Sequence, residues 1–454
     1  MACADGICAP TAQDAVLNVS DLENFLASGN LIVTTTGSGG VQSEDINVDI
    51  SFAWSSASAL WLDAYDTVAV DSAISVTGGG GLSLQTNDGG SGGVFSIGKE
   101  GNVTFGDLSS QVTINGTSYT LVTDVASLAS AITANPAGSY ALAGPYDASA
   151  DGTYSESPIQ TTFTGMFEGF GNAISNLSVR DKAKEDRLGL FSNNNGIIEH
   201  LGLLHAEIVG ARQGSYAAGT LAGANGGYLF QDFATGRVTA RGPGSNVGGL
   251  VGGTGSGGVS IDQSYADVRV DGGSKSKSKR KSAFGSGGLV GVILEGEIRQ
   301  SFATGPVNVE DTGIAGGLAG LNALSTIGDC YATGAVTGGQ DSKIGGLIGV
   351  ESKGVTETVE TSYSTGAVSG GESSLVGGFV GMSTRDSDYA NAYWDTTTSG
   401  TDRAAGKGRS HGIEGLTTEQ LQSGLPVGFD PSIWAKDKKI NNGLPYLLNN
   451  PPPK

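Results

Sequence analysis

Residues 248–270 read GGLVGGTGSGGVSIDQSYADVRV. Seven of the first eleven are glycine, and the stretch then passes into strand-like alternation. Glycine costs more backbone entropy on folding than other residues and buries no side chain. A chain that sets so much of it beside good strand sequence has a geometric need for it, and the recurrence of the pattern says which.

A glycine-leucine-x-glycine tetrad around Leu250 returns around Leu289, Leu318, Leu347 and Phe379, with partial or looser copies at Leu190 and Leu221. Successive copies lie 31, 29, 39, 29, 29 and 32 residues apart. A near-constant period of this size marks a solenoid. From Leu221 onward each tetrad is followed by a second block: DFATGRV, SYADVRV, SFATGPV, CYATGAV, SYSTGAV. These align without gaps into an aromatic column (Phe233, Tyr265, Phe302, Tyr331, Tyr363) and a valine column (Val238, Val270, Val307, Val336, Val368). The residue after each aromatic is small: Ala234, Ala266, Ala303, Ala332, Ser364.

In a parallel β-helix each coil lays its strands over those of the coil before, about 4.8 Å away, so equivalent positions stack. Both columns are therefore expected as ladders pointing into the rod. Glycine is expected at sharp corners with φ > 0 and where coils approach closely. A flexible linker has no reason to keep an aromatic column in register. The fold class is all-β, a parallel β-helix with a few short capping or inserted helices. About 15 coils would make a rod roughly 70 Å long.

Three short helices are expected. Ser20 and Glu23 read as a capping box for a helix stopped by Gly29, and Val125, Leu128 and Ile132 share a helical face over 124–132. Thr417 and Gln420 form another capping box before Gly424. The final segment, with Trp434, Ile440, Pro445 and Leu447, reads as a lid over the open end of the solenoid.

The net charge is −20, which repels phosphate backbones and places nucleic acid outside the expected partners. Cys3, Cys8 and Cys330 are too few for a disulfide scaffold. A Cys3–Cys8 bridge would staple only the terminus. No run of 18 apolar residues spans a membrane. MACADGICAP lacks the basic and apolar regions of a signal peptide, and the chain is expected to be a fragment of a larger protein.

Polysaccharide-cleaving β-helices need carboxylates converging from neighbouring coils. In the aligned array, the column before the aromatic is Asp232, Ser264, Ser301, Cys330, Ser362, and two places further back it is Phe230, Asp262, Arg299, Gly328, Glu360. Neither holds acids on adjacent coils. His200, His205 and His411 suggest no metal pair. The expectation is a protein without enzymatic activity, catalytic residues, metal or cofactor. The 39-residue interval contains SKSKSKRKS at 274–282, a surface insertion carrying Lys275, Lys277, Lys279, Arg280 and Lys281. On an acidic rod it is the candidate contact for acidic glycans or an acidic protein face.

The GGLVG and SYATG-like blocks resemble the GLUG repeat of large bacterial surface proteins. LIVTT, SFAW, LWLDAYDTVAV and GGGGLSLQT within 31–122 resemble filamentous-haemagglutinin-like exoproteins. The resemblance implies a right-handed β-helix and a secreted or cell-surface adhesin, with an outer-membrane secretion partner. It divides the chain into a haemagglutinin-like region at 1–123, transition coils with a short helix at 124–187, a GLUG array at 188–382 and a capping segment at 383–454. The expected function is an adhesin stalk or scaffold that binds a glycan or protein on a host or neighbouring cell. The alternatives are a carbohydrate-active β-helix enzyme and a self-associating filament subunit.

Overall fold

The structure is a computed structural model. It describes all residues except 182–185, 213–215, 256–257, 274–283, 353–357, 385–387 and 454. The chain winds into a parallel β-solenoid of about 13 turns. Stacked at about 4.8 Å, these make a rod about 60 Å long. This is fewer turns than expected, because residues also go into helices, a joint hairpin and a returning C-terminal segment. One array turn runs through Ser286–Gly287, Val290–Leu294, Gly296–Arg299, Phe302–Ala303 and Val307–Val309. Its strands belong to a 7-stranded, an 8-stranded and a 29-stranded sheet.

The repeat columns are the ladders. Val238, Val270, Val307, Val336 and Val368 are register partners from coil to coil. All five belong to the main core. The tetrad residues Leu190, Leu221, Leu250, Leu289, Leu318, Leu347 and Phe379 are fully buried within it. Phe233, Tyr265, Phe302, Tyr331 and Tyr363 are also register partners. Their rings stack at centroid distances of 5.2, 4.8, 4.6 and 5.2 Å, within 7° of parallel.

The aromatic file does not point inward. Strand parity sends Ala234, Ala266, Ala303 and Ala332 into the core and the rings to the opposite face. There the rings meet the C-terminal segment, which doubles back along the flank and so differs from the expected end lid. Tyr393 Oη donates to the Val427 carbonyl, Tyr363 Oη to that of Pro445, and Trp434 Nε1 to Asp329 Oδ1. Asn450 Nδ2 reaches the Gln300 carbonyl at 3.0 Å, and Lys99 Nζ reaches that of Pro452 at 3.1 Å. Phe302, Tyr331 and Tyr363 are fully buried with Phe429, Trp434 and Leu447, whereas Phe233 and Tyr265 are half-buried.

The glycines serve close approach more than corners. A Cβ on Gly249, Gly288, Gly317 or Gly346 would lie 2.0–2.1 Å from the carbonyl oxygen of the next glycine in the column. One recurrent corner instead takes side chains in the left-handed region: His200, Gln231, Gln263, Gln300, Asp329, Thr361 and Asn391, with φ between 41° and 55°. Polar residues bear this conformation and bond across coils, as Gln231 Nε2 does to Gln263 Oε1 at 2.9 Å.

Two cores meet at a joint. The first gathers buried residues from Cys8 to Leu121 with Ala141, Ala143 and Phe170, and the second runs from Val122 to Ala404. Between them Val112–Ile114 and Thr117–Val122 form an antiparallel hairpin. Asn115 and Gly116 at its tip both have positive φ, as a two-residue hairpin turn requires. Helix α1 spans Val19–Ser28, and its N-cap is Asn18, whose side chain accepts from Ser20 N; Ser20 is therefore not the cap. Helices α2 (Val125–Ala134) and α3 (Thr418–Ser423) carry capping boxes at Asp124–Ser127 and Thr417–Gln420. Cys3 and Cys8 form a disulfide across the first hairpin. Cys330 is a buried free thiol, pushed upward in pKa by burial.

Candidate functional site

The rod's charge is unevenly placed. The strands Ser178–Arg180, Gly202–Val209, Phe233–Ala240 and Tyr265–Gly272 end at one corner on successive coils. Register sets Arg237 directly under Arg269. Two stacked guanidinium groups repel unless a carboxylate lies between them. Asp271 supplies it. Its Oδ2 accepts from Arg237 Nη2 at 2.7 Å and from Arg269 Nε at 3.1 Å, and Arg241 Nη2 lies 3.6 Å from Oδ1. Burial pushes the Asp271 carboxyl up in pKa, but hydrogen bonds and charge from Arg269 and Arg237 outweigh it and hold the group below its ordinary value.

The carboxylate is consumed by the fold while the cations stay available. The Asp271 side chain is 2% exposed, against 46% for Arg237, 33% for Arg241 and 52% for Arg269. Arg180, 53% exposed, lies 3.9 Å from Glu207. Asp181 is buried and accepts from Tyr216 Oη at 2.5 Å. Arg180, Arg212, Arg237 and Arg241, with Thr239, line an open cleft of about 380 Å³. Guanidinium forks around such a space, two of them anchored on Asp271, suit carboxylate, sulfate or phosphate groups.

The strand Tyr265–Gly272 that ends at this corner is followed in sequence by the basic insertion. Lys275, Lys277, Lys279, Arg280 and Lys281 lie outside the described residues. Sequence reading fixed on that insertion and passed over the cleft. The signal was present in the aligned blocks, since GRV and VRV put Arg237 and Arg269 in one column on adjacent coils.

A second cluster sits at the joint, on coils before the aligned blocks whose two columns hold no acids on adjacent coils. The column Phe230, Asp262, Arg299 continues backward to Glu199 and Glu168, which are register partners. It was missed because the alignment began two coils too late. His200 follows Glu199 at the left-handed corner. Its Nδ1 lies 3.0 Å from Glu168 Oε1, and both side chains are 1% exposed. Phe95 and Phe230 present ring contacts to the imidazole at 4.9 and 5.4 Å. Glu168 Oε1 also accepts from Phe170 N at 2.6 Å.

Burial depresses the His200 pKa, but the charge and hydrogen bond of Glu168 outweigh it and the net shift is upward. Burial raises Glu199 to about 7; His200 opposes this and Glu168 adds to it. One ligand atom from each of Glu168, Glu199 and His200 lies within 4.8 Å of the others. These are the residues able to hold a cation; the cluster joins one histidine to two glutamates, a grouping that looking for a histidine pair did not reveal.

No family model matches the chain. Halomucin from Haloquadratum walsbyi is 37% identical over 106 residues, covering 23% of this chain and 1% of halomucin. The chain thus spans a very small part of that relative's length. The crystal structure of a candidate immunoglobulin A1 protease from Bacteroides ovatus is similar with a TM-score of 0.46 and 20% identity, covering 73% of this chain and 93% of that one. A structure described as IgA1 protease has a TM-score of 0.42 and 23% identity, covering 57% and 21%. Likeness at this level concerns the fold. The expectation of a protein without enzymatic activity is corrected and not kept, since the two structures just described carry protease names. Among the described residues no helix is long and apolar enough to cross a membrane.

Proposed function

We propose that the chain is a rod-like module of a secreted or cell-surface protein that attaches to acidic ligands, carboxylated or sulfated glycans foremost, through the arginine cleft. One observation carries this reading. Arg180, Arg212, Arg237, Arg241 and Arg269 gather at a single corner of a chain whose net charge is −20. Such a local reversal of sign steers anions to one place. The Cys3–Cys8 bridge supports an oxidising compartment. The resemblance to GLUG-repeat exoproteins supports an attachment role.

The test is binding to a sulfated and a carboxylated oligosaccharide at rising salt. Replacing Arg212, Arg237 and Arg241 by Ser is expected to weaken binding at least about tenfold, with a shallower salt dependence. Undiminished, salt-insensitive binding by that variant rejects the reading.

A second reading, a carbohydrate-active β-helix enzyme, is supported by Glu168 and Glu199 meeting on adjacent coils. Glu199 is half-buried with a pKa raised to about 7, which suits a proton donor near neutral pH. Release of reducing ends from acidic polysaccharide, lost in Glu199→Gln, would support it. No release from any polyuronate or sulfated glycan would reject it.

A further inference from the structure

We propose that Glu168, Glu199 and His200 bind a first-row divalent cation, zinc or manganese, at the joint between the two sections of the rod. The inference does not rest on the arginine cleft, and it assigns to a cation the two glutamates that the second reading would make catalytic.

The ligand set is held by the fold. Glu168 and Glu199 are paired residues of adjacent ladder strands, and His200 sits at the next corner. Their candidate ligand atoms lie within 4.8 Å of one another. Atoms bound to one ion at about 2.0–2.2 Å stand up to about 4 Å apart, so small side-chain rotations close the site. The Phe170 backbone N–H bonded to Glu168 Oε1 orients that carboxylate, as outer partners of metal ligands do.

The surroundings lack a positive charge to match. Glu168 and Asp232 are buried and Glu199 half-buried, with one imidazole among them. Asp232, charge-coupled to both glutamates, is fully buried. Its Oδ1 accepts from Leu201 N at 2.9 Å, whereas its Oδ2 has no hydrogen-bond partner. Unpaired buried acceptors beside buried carboxylates are costly, and a divalent cation relieves that cost. An imidazole nitrogen with carboxylate oxygens selects zinc or manganese over calcium or magnesium, which prefer all-oxygen sets.

The location gives the ion a structural consequence. Phe95 belongs to the first core and touches His200, whereas Glu199 and His200 lie on coils of the second. Closing the site would stiffen the contact between the two.

The experiment uses the whole chain, treated with chelator and then titrated with zinc and with manganese by calorimetry and thermal unfolding. The expected result is one ion per chain and a higher melting temperature. Glu199→Gln keeps the side chain's shape at a half-buried position; it is expected to fold, weaken binding at least about tenfold and abolish the thermal shift. A variant lacking the exposed His205 and His411 should bind as the parent does. Absence of binding by the parent overturns the proposal, as does full binding by Glu199→Gln or loss of binding on removing His205 and His411. Sulfated-glycan binding unchanged in Glu199→Gln separates this result from any failure of the arginine cleft.

Discussion

The valine file and the aromatic file rise from the same coils and share one register, yet they meet different neighbours. Val238 to Val368 face coil interiors, where each valine is enclosed by the chain that carries it. Phe233 to Tyr363 face outward, and the returning C-terminal segment encloses Phe302, Tyr331 and Tyr363. The inner file is closed by local winding. The outer file is closed by residues up to 186 positions away, as in the bond from Asn450 to Ser264. A sequence period establishes that residues stack; it does not say on which face.

The contrast breaks most severely at the inner file. Val336→Asp would bury a carboxylate with no partner between two coils and is expected to cost more than about 4 kcal/mol, read as loss of cooperative folding in denaturant melts. A destabilisation below 1 kcal/mol would mean that the coil interior is open to water. The outer file should respond by position. Tyr331→Ala, beneath Trp434, is expected to cost about 3–5 kcal/mol, whereas Tyr265→Ala, at the half-covered end, should cost about 1–2 kcal/mol. Equal losses would deny the C-terminal segment its covering role.

The smallest effect concerns the basic corner and its pH dependence. The folded pKa of Asp271 lies below its ordinary value. Its contribution is therefore present above the unfolded pKa of about 3.9 and lost as pH falls through the depressed folded value. Asp271→Asn should flatten the decline of stability below about pH 4, measured by denaturant midpoints across pH. An unaltered decline would show that other carboxylates account for it.

Much of the solenoid was legible because its repeat is a physical constraint. Stacked coils require matching residues at matching places, so Leu250, Val270 and Tyr265 each announce a column. Facing was legible only in part. The unbroken run of small residues after each aromatic was the clue that the narrow interior took Ala266 and Ala303 rather than the rings. The corner residues were harder to read, since a left-handed backbone suits Gln231, Asp329 and Thr361 by different local compromises and leaves no common letter. The path of Trp434 and Asn450 along the flank has no period at all. Glu168 and Glu199 were hidden because their coils precede the recognisable tetrads, although the ladder beneath them is continuous.

The returning segment also decides how the molecule would carry load. Residue 452 is fastened near Lys99, not at the far tip of the rod. A pull between the two chain ends would first peel that strip from the flank, snapping one lateral attachment after another, before any winding parted from its neighbour. Under tension the strip is a mechanical fuse, and freshly bared tyrosine and phenylalanine faces would be the record of its having blown.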